Sequence, residues 1–141
     1  MGKEKAVSEL GKVTDVAEAK KWVRRWVQEQ MTLSEKVGQM YQMPYDGEIT
    51  PEIREAILQG RAGAFINCVT PQEANALQTL AVKESRLGIP LLFARDVIHG
   101  FYHMLPIPLG QAACWNPDRV REGARMAAQE ATAAGVHWTF A

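Results

Sequence analysis

Apolar residues in the second half of the chain occur in short continuous runs that alternate with helical patterns. The runs extend from Ala62 to Val69, from Ile89 to Arg95 and from Val136 to Ala141. A strand that is buried on both faces of a sheet has such a continuous apolar run, so each segment is predicted to be a parallel β-strand. Because parallel neighbours need a crossover helix between them, the chain is predicted to be α/β.

Three segments begin with the same order of residues: a capping side chain, a proline and then an acidic residue. They start at Thr50, Thr70 and Asn116. A capping oxygen accepts a free N–H of the first helical turn, and proline at the next position gives up a donor that would have no partner. These segments are therefore predicted to open helices. Apolar spacing predicts the residues that face the core, which are Ala74, Leu77 and Ala81 on the second helix and Val120, Ala124, Ala127, Ala131 and Ala134 on the third.

Two more helices are predicted ahead of the first strand. The second of them opens with a capping box at Thr32 and Glu35. We divide the chain into an N-terminal helical segment, 1–49, and the first βα units of a barrel, 50–141. Three parallel strands would leave long unpaired edges, so we expect about three βα units of a (β/α)8 TIM-type barrel, which needs roughly 250 residues. The first helix is predicted to turn five residues inward, namely Val16, Ala19, Val23, Val27 and Met31.

Composition excludes several classes of partner. The chain has 141 residues, and Lys plus Arg and Asp plus Glu both total 16, so its overall charge provides no attraction to nucleic acid or to an anionic membrane. Trp22 and Trp26, with the four neighbouring basic residues, are better explained as partly packed aromatics on the outer face of the first helix. No apolar run approaches the roughly 20 residues that cross a bilayer. The charged start at Met1 to Lys5 has no apolar signal region behind it, although a signal peptide removed before Met1 would be compatible with export.

The most informative polar segment follows the second predicted strand, where Asp96, His99 and Gly100 occur. Ligands of parallel α/β folds bind at the carboxyl ends of the strands, and a carboxylate there can accept hydrogen bonds from two neighbouring sugar hydroxyls. A turn or capping aspartate would look the same in the sequence. His99 and His103 have HxxxH spacing, but the prolines that follow disfavour a helix, and we predict no metal site. The spacing of Cys68 and Cys114 predicts two free thiols.

Four ordered motifs resemble family 3 glycoside hydrolases. The chain from Arg86 to Gly100 is similar to the family's second strand and its DxxHG motif, closest to the bacterial periplasmic β-glucosidases. The other similar segments are Met31 to Met40, Gly63 to Asn67, and Leu105 to Gly110 with the helix after it, which contains Ala128-Gln129-Glu130-Ala131.

This resemblance implies a retaining, exo-acting β-glucosidase without a metal or organic cofactor, acting on a β-glucoside or oligosaccharide in the periplasm or outside the cell. Asp96 would bind hydroxyls of the glucosyl unit, and His99 and Gly100 would shape the loop. The nucleophile would come from a later barrel strand and the acid/base carboxylate from a position further on, so this chain alone is expected to hydrolyse nothing. The remaining barrel strands and a second domain would be its partners. Relatives often carry a small hydroxyl residue and then an aromatic one where this chain has His103 and Leu105, which leaves the fine specificity open.

A second hypothesis is a noncatalytic sugar-binding or structural barrel fragment that associates with itself through exposed strand edges. A third, a nucleic-acid or membrane module built on the Trp and Arg residues of the first helix, is disfavoured by the zero net charge.

Overall fold

Four short parallel strands form one sheet, and they follow one another in chain order across it. The computed structural model describes residues 11–141, so the charged start at Met1 to Lys5 lies outside the described residues. The strands are β1 (Gln42–Pro44), β2 (Ala64–Ile66), β3 (Leu92–Asp96) and β4 (Trp138–Phe140). The helices are α1 (Val16–Gln30), α2 (Leu33–Gly38), α3 (Pro51–Leu58), α4 (Pro71–Thr79), α5 (Pro108–Ala113) and α6 (Pro117–Ala133), with a π-helical turn (Leu80–Glu84) after α4.

β1 was not predicted from the sequence, so three strands were expected where the sheet has four. β1 pairs with β2 in parallel, from Gln42 beside Ala64 to Pro44 beside Ile66. Its three residues contain a polar side chain and a proline, which is not the apolar run expected of a buried strand. Because proline cannot donate to the ladder, it is tolerated at the edge of a sheet, where β1 lies. The other three strands lie within or next to their predicted ranges and are shorter. The division between 1–49 and 50–141 stays a prediction.

The predicted helix starts are confirmed by their capping contacts. The Thr50 hydroxyl accepts from the Ile53 N–H at 3.3 Å, and the Thr70 hydroxyl accepts from the Glu73 N–H at 3.2 Å. Asn116 caps α6 in the same way by accepting from two backbone N–H groups. These contacts span only a few residues, so local sequence determines them. The short helix α5, whose capping residue has no side-chain oxygen, was not predicted.

The core lies between one face of the sheet and the helices α3 and α4. Phe65 of β2 and Phe93 of β3 are 0% and 1% exposed, and Leu77 of α4 packs in the same cluster. Ile53 and Ile57 of α3 also belong to this core cluster. The predicted inward face of α4 is confirmed, since Ala74, Leu77 and Ala81 are all buried. Parallel strands and crossover helices thus share one apolar layer, as the α/β prediction requires.

Two predicted core faces were partly wrong. No residue of α1 is buried, and Val16 and Val23 are 68% and 42% exposed, although Met31 just beyond the helix is buried. Ala127 and Ala131 of α6 and Ala134 directly after it are buried, but Ala124 is exposed. Periodicity shows which residues of a helix could be buried, but it does not show whether another element covers them. Within residues 11–141, no helix is both long enough and apolar enough to span a membrane.

A buried carboxylate joins the N-terminal helices to the chain that leads into β3. The Glu35 side chain is 9% exposed and accepts from Arg86 Nε at 3.0 Å and from Arg86 Nη2 at 2.5 Å. It also closes the predicted capping box by accepting from the Thr32 N–H at 2.8 Å. The hydrogen bonds from Arg86 hold the pKa of Glu35 below its ordinary value of 4.5. The charged form of Glu35 is therefore the one that stabilises the fold.

We expect Glu35→Gln to lower the free energy of unfolding by about 1 to 3 kcal/mol at neutral pH, because it weakens charge-assisted hydrogen bonds at a buried site. Since the folded pKa lies below the unfolded one, this contribution is present above pH 4.5 and is lost as the pH falls through the folded value. Urea unfolding at several pH values should therefore show a shallower decline below pH 4.5 in the variant than in the original protein.

The matched control is Glu84→Gln, which removes a carboxylate from an exposed pair with Arg54, where the side chains are 41% and 49% exposed. Its expected cost is under about 1 kcal/mol, since water screens surface ion pairs. Equal losses for the two variants, or parallel pH profiles for Glu35→Gln and the original protein, would contradict the role given to Glu35.

Candidate active site

The carboxyl ends of β2 and β3 lie side by side, and both are followed by polar residues. Asn67 comes directly after β2, and Asp96 is the last residue of β3. The parallel register pairs Ile66 with Ala94 and Asp96 with Phe140, so Asp96 lies two strand positions beyond the end of β2. Asp96 is exposed. Because the loops beyond the carboxyl ends of parallel strands form the ligand sites of α/β folds, this edge of the sheet is the candidate site.

Asp96 lies on the face of the sheet that is turned away from the helices. Phe93 is in the core with α3 and α4, whereas its neighbour Leu92 is 52% exposed. Because successive side chains of a strand point to opposite faces, Asp96 shares the face of Leu92. Trp138 and Phe140 occupy the adjacent positions on β4, with ring centroids 4.8 Å apart. The carboxylate of Asp96 therefore lies at the carboxyl end of an open face with apolar and aromatic side chains.

A polar contact on the opposite face joins the ends of β2 and β3. Arg95 Nη1 donates to Asn67 Oδ1 at 2.9 Å, and the Asn67 backbone N–H donates to the carbonyl of Ala94 at 3.1 Å. Asn67 has φ +74°, a left-handed conformation that asparagine tolerates better than most residues. Sequence reasoning did not select Asn67, although an asparagine directly after a predicted strand was an available signal. Its contact with Arg95 fixes the spacing of the two strand ends.

The loop after Asp96 closes on itself between His99 and Leu105. The Leu105 N–H donates to the His99 carbonyl at 2.7 Å, and the His99 ring Nδ1 lies 3.0 Å from the Leu105 carbonyl. Between them Gly100 forms an antiparallel bridge with Met104. Asp96, His99 and Gly100 are therefore part of one continuous structure, and the predicted site residues are brought together at the end of β3.

HxxxH spacing does not place the two imidazoles on one helical face here, because residues 99 to 103 form a loop. His99 Nδ1 faces the Leu105 carbonyl, and His103 Nδ1 lies 2.5 Å from Glu130 Oε1 on α6. In residues 11–141 there is no cluster of three or more His, Cys, Asp or Glu side chains arranged to hold a metal ion. The same residue, Glu130, also contacts the loop backbone, and sequence reasoning had given it no role.

The two thiols differ in their surroundings. Cys68 is buried in the core cluster, and Cys114 is exposed and also free, as predicted. Burial raises the pKa of the Cys68 thiol to about 11, and the nearby Glu73 carboxylate acts in the same direction. Because the thiolate is the nucleophilic form, Cys68 is a core residue and not a nucleophile at neutral pH.

A groove of about 840 Å³ lies elsewhere, between α2, β1 and α3. Apolar residues such as Val37, Tyr41 and Met43 line it, together with Glu52 and Arg61. It contains none of the residues that follow the carboxyl ends of β2 and β3, so it is separate from the candidate site at that edge of the sheet. It adjoins β1, whose outer edge has no strand neighbour among the described residues.

Comparison with known proteins gives one consistent family. Residues 32–141 match the model described as the Glycosyl hydrolase family 3 N terminal domain. A periplasmic beta-glucosidase of Salmonella typhimurium is 42% identical over 112 residues, which cover 79% of this chain and 15% of that protein. The chain therefore spans less than a fifth of the length of this relative.

Solved structures agree with this match. The beta-glucosidase of Listeria innocua in complex with gluconolactone superposes with a TM-score of 0.73 at 32% identity, over 86% of this chain and 19% of that one. A mutant of the same enzyme in complex with laminaribiose has a TM-score of 0.69 at 29% identity and covers 100% of this chain and 19% of that one. With the parallel sheet, these matches confirm the predicted fold class, the N-terminal portion of a (β/α)8 barrel.

The Asp96 loop depends on glycine at position 100. Gly100 has φ +120°, and a Cβ there would lie 2.1 Å from the His103 carbonyl oxygen. We expect Gly100→Ala to lower the free energy of unfolding by about 2 to 4 kcal/mol, or to open the loop, because it combines backbone strain with a clash. Urea unfolding and the amide exchange of residues 97 to 105 measure the two outcomes.

Gly47→Ala is the control, since Gly47 has φ +89° but a Cβ there meets nothing closer than 3.8 Å. Its expected cost is only the conformational one, about 1 kcal/mol. If Gly100→Ala costs no more than Gly47→Ala and leaves amide exchange unchanged, the loop does not require glycine at position 100.

Proposed function

The chain belongs to glycoside hydrolase family 3, and we propose that it supplies part of the glucose-binding subsite of a retaining, exo-acting β-glucosidase. Such an enzyme hydrolyses terminal β-D-glucosyl residues. The observation that carries this proposal is the position of Asp96, an exposed carboxylate at the carboxyl end of β3, on the face of the sheet opposite the helices. In a closed barrel that face is the interior, and its carboxyl end is where substrates bind.

Asp96 has the chemistry of a sugar ligand. An ionised carboxylate has two oxygens and accepts hydrogen bonds only, so it can bind two neighbouring hydroxyls of one glucosyl unit. The apolar and aromatic face beside it, with Trp138 and Phe140, suits the less polar side of a pyranose ring. His99 and Gly100 contribute by shaping the loop that follows Asp96, through the hydrogen bonds between His99 and Leu105 and the positive φ of Gly100.

We assign neither the nucleophile nor the acid/base to this chain. A retaining glycosidase needs two carboxyl groups about 5 to 5.5 Å apart, one to form the covalent glycosyl-enzyme intermediate and one to protonate the leaving group and then activate water. On this proposal both come from the later strands of the barrel and from a second domain, which are the partners of the segment described here. Asp96 binds the glucosyl unit and does not attack it.

The proposed substrates are β-glucosides and oligosaccharides with a terminal glucose. The Listeria beta-glucosidases that resemble this chain were solved with gluconolactone and with laminaribiose, and both ligands support a sugar site in the family's barrel. The Salmonella relative is a periplasmic beta-glucosidase, which supports a periplasmic or secreted location for this protein as well.

A chimera tests the proposed function without requiring this chain to act alone. Residues 32–141 would replace the matching segment of the Salmonella periplasmic beta-glucosidase, to which the chain is 42% identical over 112 residues. We expect the chimera to hydrolyse an aryl β-glucoside. In it, Asp96→Ala should lower kcat/KM by about 100-fold to 1,000-fold, because two charge-assisted hydrogen bonds to the sugar are lost.

The control is Asp118→Ala, which removes an exposed carboxylate near the start of α6 and should leave kcat/KM unchanged. A chimera that folds cooperatively but hydrolyses no aryl β-glucoside would contradict the glucosidase proposal. Equal activity of the Asp96→Ala and Asp118→Ala variants would contradict the assignment of Asp96.

A second function is favoured by the edges of the sheet: the chain acts as a noncatalytic sugar-binding or structural barrel fragment that associates with itself. Within the described residues, β1 and β4 each have one edge without a strand neighbour, and Leu92 and Trp138 on the open face are 52% and 49% exposed. Free strand edges and exposed apolar surface both favour association.

On this second function, sedimentation velocity of the 141-residue chain should show dimers or larger species whose fraction rises with protein concentration. Trp138→Lys would place a charge on the open face and should shift the distribution toward monomer, whereas Trp115→Lys, at an exposed site after α5, should not. A monomer at every concentration would exclude this function.

A further inference from the structure

One carboxylate on α6 holds the loop that follows Asp96. Glu130 Oε2 accepts from the backbone N–H of Tyr102 at 2.8 Å and from that of His103 at 3.1 Å. Its other oxygen lies 2.5 Å from His103 Nδ1. The Glu130 side chain is only 16% exposed, whereas His103 is 77% exposed. The Glu130 carboxylate is therefore largely shielded from solvent, whereas the imidazole beside it is open to water.

The chemistry of these contacts suits an anchor. Two consecutive backbone N–H groups that meet one carboxylate form charge-assisted hydrogen bonds, which are stronger and more directional than neutral ones. These hydrogen bonds hold the pKa of Glu130 below its ordinary value, and the bond from the His103 backbone N–H has the largest effect. Glu130 is thus ionised at neutral pH, the state in which both of its oxygens accept.

Two further contacts position the same loop. Leu105 lies against α6 at Gly123, where a Cβ would come within 2.7 Å of the leucine Cδ1. Gly123 and Glu130 are seven residues apart, about two helical turns, and so lie on one face of α6. The Tyr102 hydroxyl donates to the Val69 carbonyl at 2.9 Å, which joins this loop to the one after β2. The loop is therefore held on α6 at Gly123 and at Glu130, and it is also joined to the loop that follows β2.

The short distance along the chain connects this anchor to the site. Tyr102 is six residues beyond Asp96 and lies inside the turn that the hydrogen bonds between His99 and Leu105 close. The Val97 N–H donates to the Phe140 carbonyl at 2.9 Å, so only residue 98 lies between the end of the sheet and this turn. A shift at Tyr102 is therefore transmitted to the end of β3 and is not absorbed by a flexible linker. A misplacement of about 1 Å is enough to cost up to 100-fold in rate when a substrate contact depends on it.

We propose that Glu130 is a positioning residue for sugar binding, which fixes the loop backbone at Tyr102 and His103 and thereby sets the position of the Asp96 carboxylate. This inference rests on the proposed function of Asp96 and deepens it. Glu130 itself does not touch the sugar. It acts through two backbone hydrogen bonds that no other side chain makes among the described residues.

The first experiment measures the anchor itself on the 141-residue chain. We expect Glu130→Ala to speed amide exchange of Tyr102 and His103 by at least about tenfold, because both N–H groups lose their acceptor. Glu130→Gln, whose amide oxygen can still accept, should fall between this variant and the original protein. Glu122→Ala, which removes an exposed carboxylate about two turns earlier on α6, is the matched control and should change nothing.

The second experiment is a double-mutant cycle in the Salmonella chimera. Alone, Glu130→Ala should lower kcat/KM for an aryl β-glucoside by about 10-fold to 100-fold. Added to Asp96→Ala it should cost little more, because the contact that it positions is already absent. If Glu130 had a merely structural role, Glu130→Ala would lower kcat/KM by the same factor with and without Asp96→Ala. The comparison of the two losses therefore separates a positioning role from a structural one. Glu130→Gln should recover part of the loss.

The outcomes are distinct. Unchanged amide exchange in Glu130→Ala, or equal losses of kcat/KM with and without Asp96, overturns the proposal for Glu130. An Asp96→Ala variant that is as active as the original chimera overturns the function proposed for Asp96, while the exchange experiment still reports whether Glu130 anchors the loop.

Discussion

The arrangement of this chain depends on the burial of two phenylalanines beneath α3 and α4. Phe65 and Phe93 are register partners on β2 and β3, and both are almost fully buried. Side chains alternate along a strand, so this burial also decides what lies on the opposite face. A slip of one residue in β3 would turn Leu92 toward the helices and bury Asp96 with it, which would remove both a core aromatic and the candidate ligand. Core packing and site placement are therefore one constraint.

Rigid strand ends alone do not complete the site, because the side chains that could bind a ligand lie where regular structure stops. Polar contacts between residues far apart in the sequence fix the backbone of these segments. Arg95 and Asn67 join the ends of two strands, and Glu130 holds the next loop from α6. A few such contacts suffice because each joins backbone that is already fixed on one side, so little conformational entropy is lost.

How much the sequence predicts depends on the range of each interaction. The helix starts at Thr50, Thr70 and Asn116 were predicted correctly, because each capping oxygen and the N–H group that donates to it lie within three residues. β1 was missed because an edge strand tolerates Gln42 and Pro44, which no apolar pattern contains. The exposed face of α1 and the exposure of Ala124 could not be predicted, since periodicity shows which residues could be buried and not whether another element covers them.

The same argument explains why the candidate site was predicted only in part. Asp96 follows a recognisable strand and lies in a motif, so its place at a carboxyl end could be predicted from its neighbours alone. Glu130 is 27 positions from His103, and it meets the loop only because β3, α5 and α6 fold back on one another. A glutamate in an exposed-looking helical pattern gives no local sign of that contact. Side chains that bind a ligand are thus easier to find in a sequence than those that hold them in place, and the second group requires the fold.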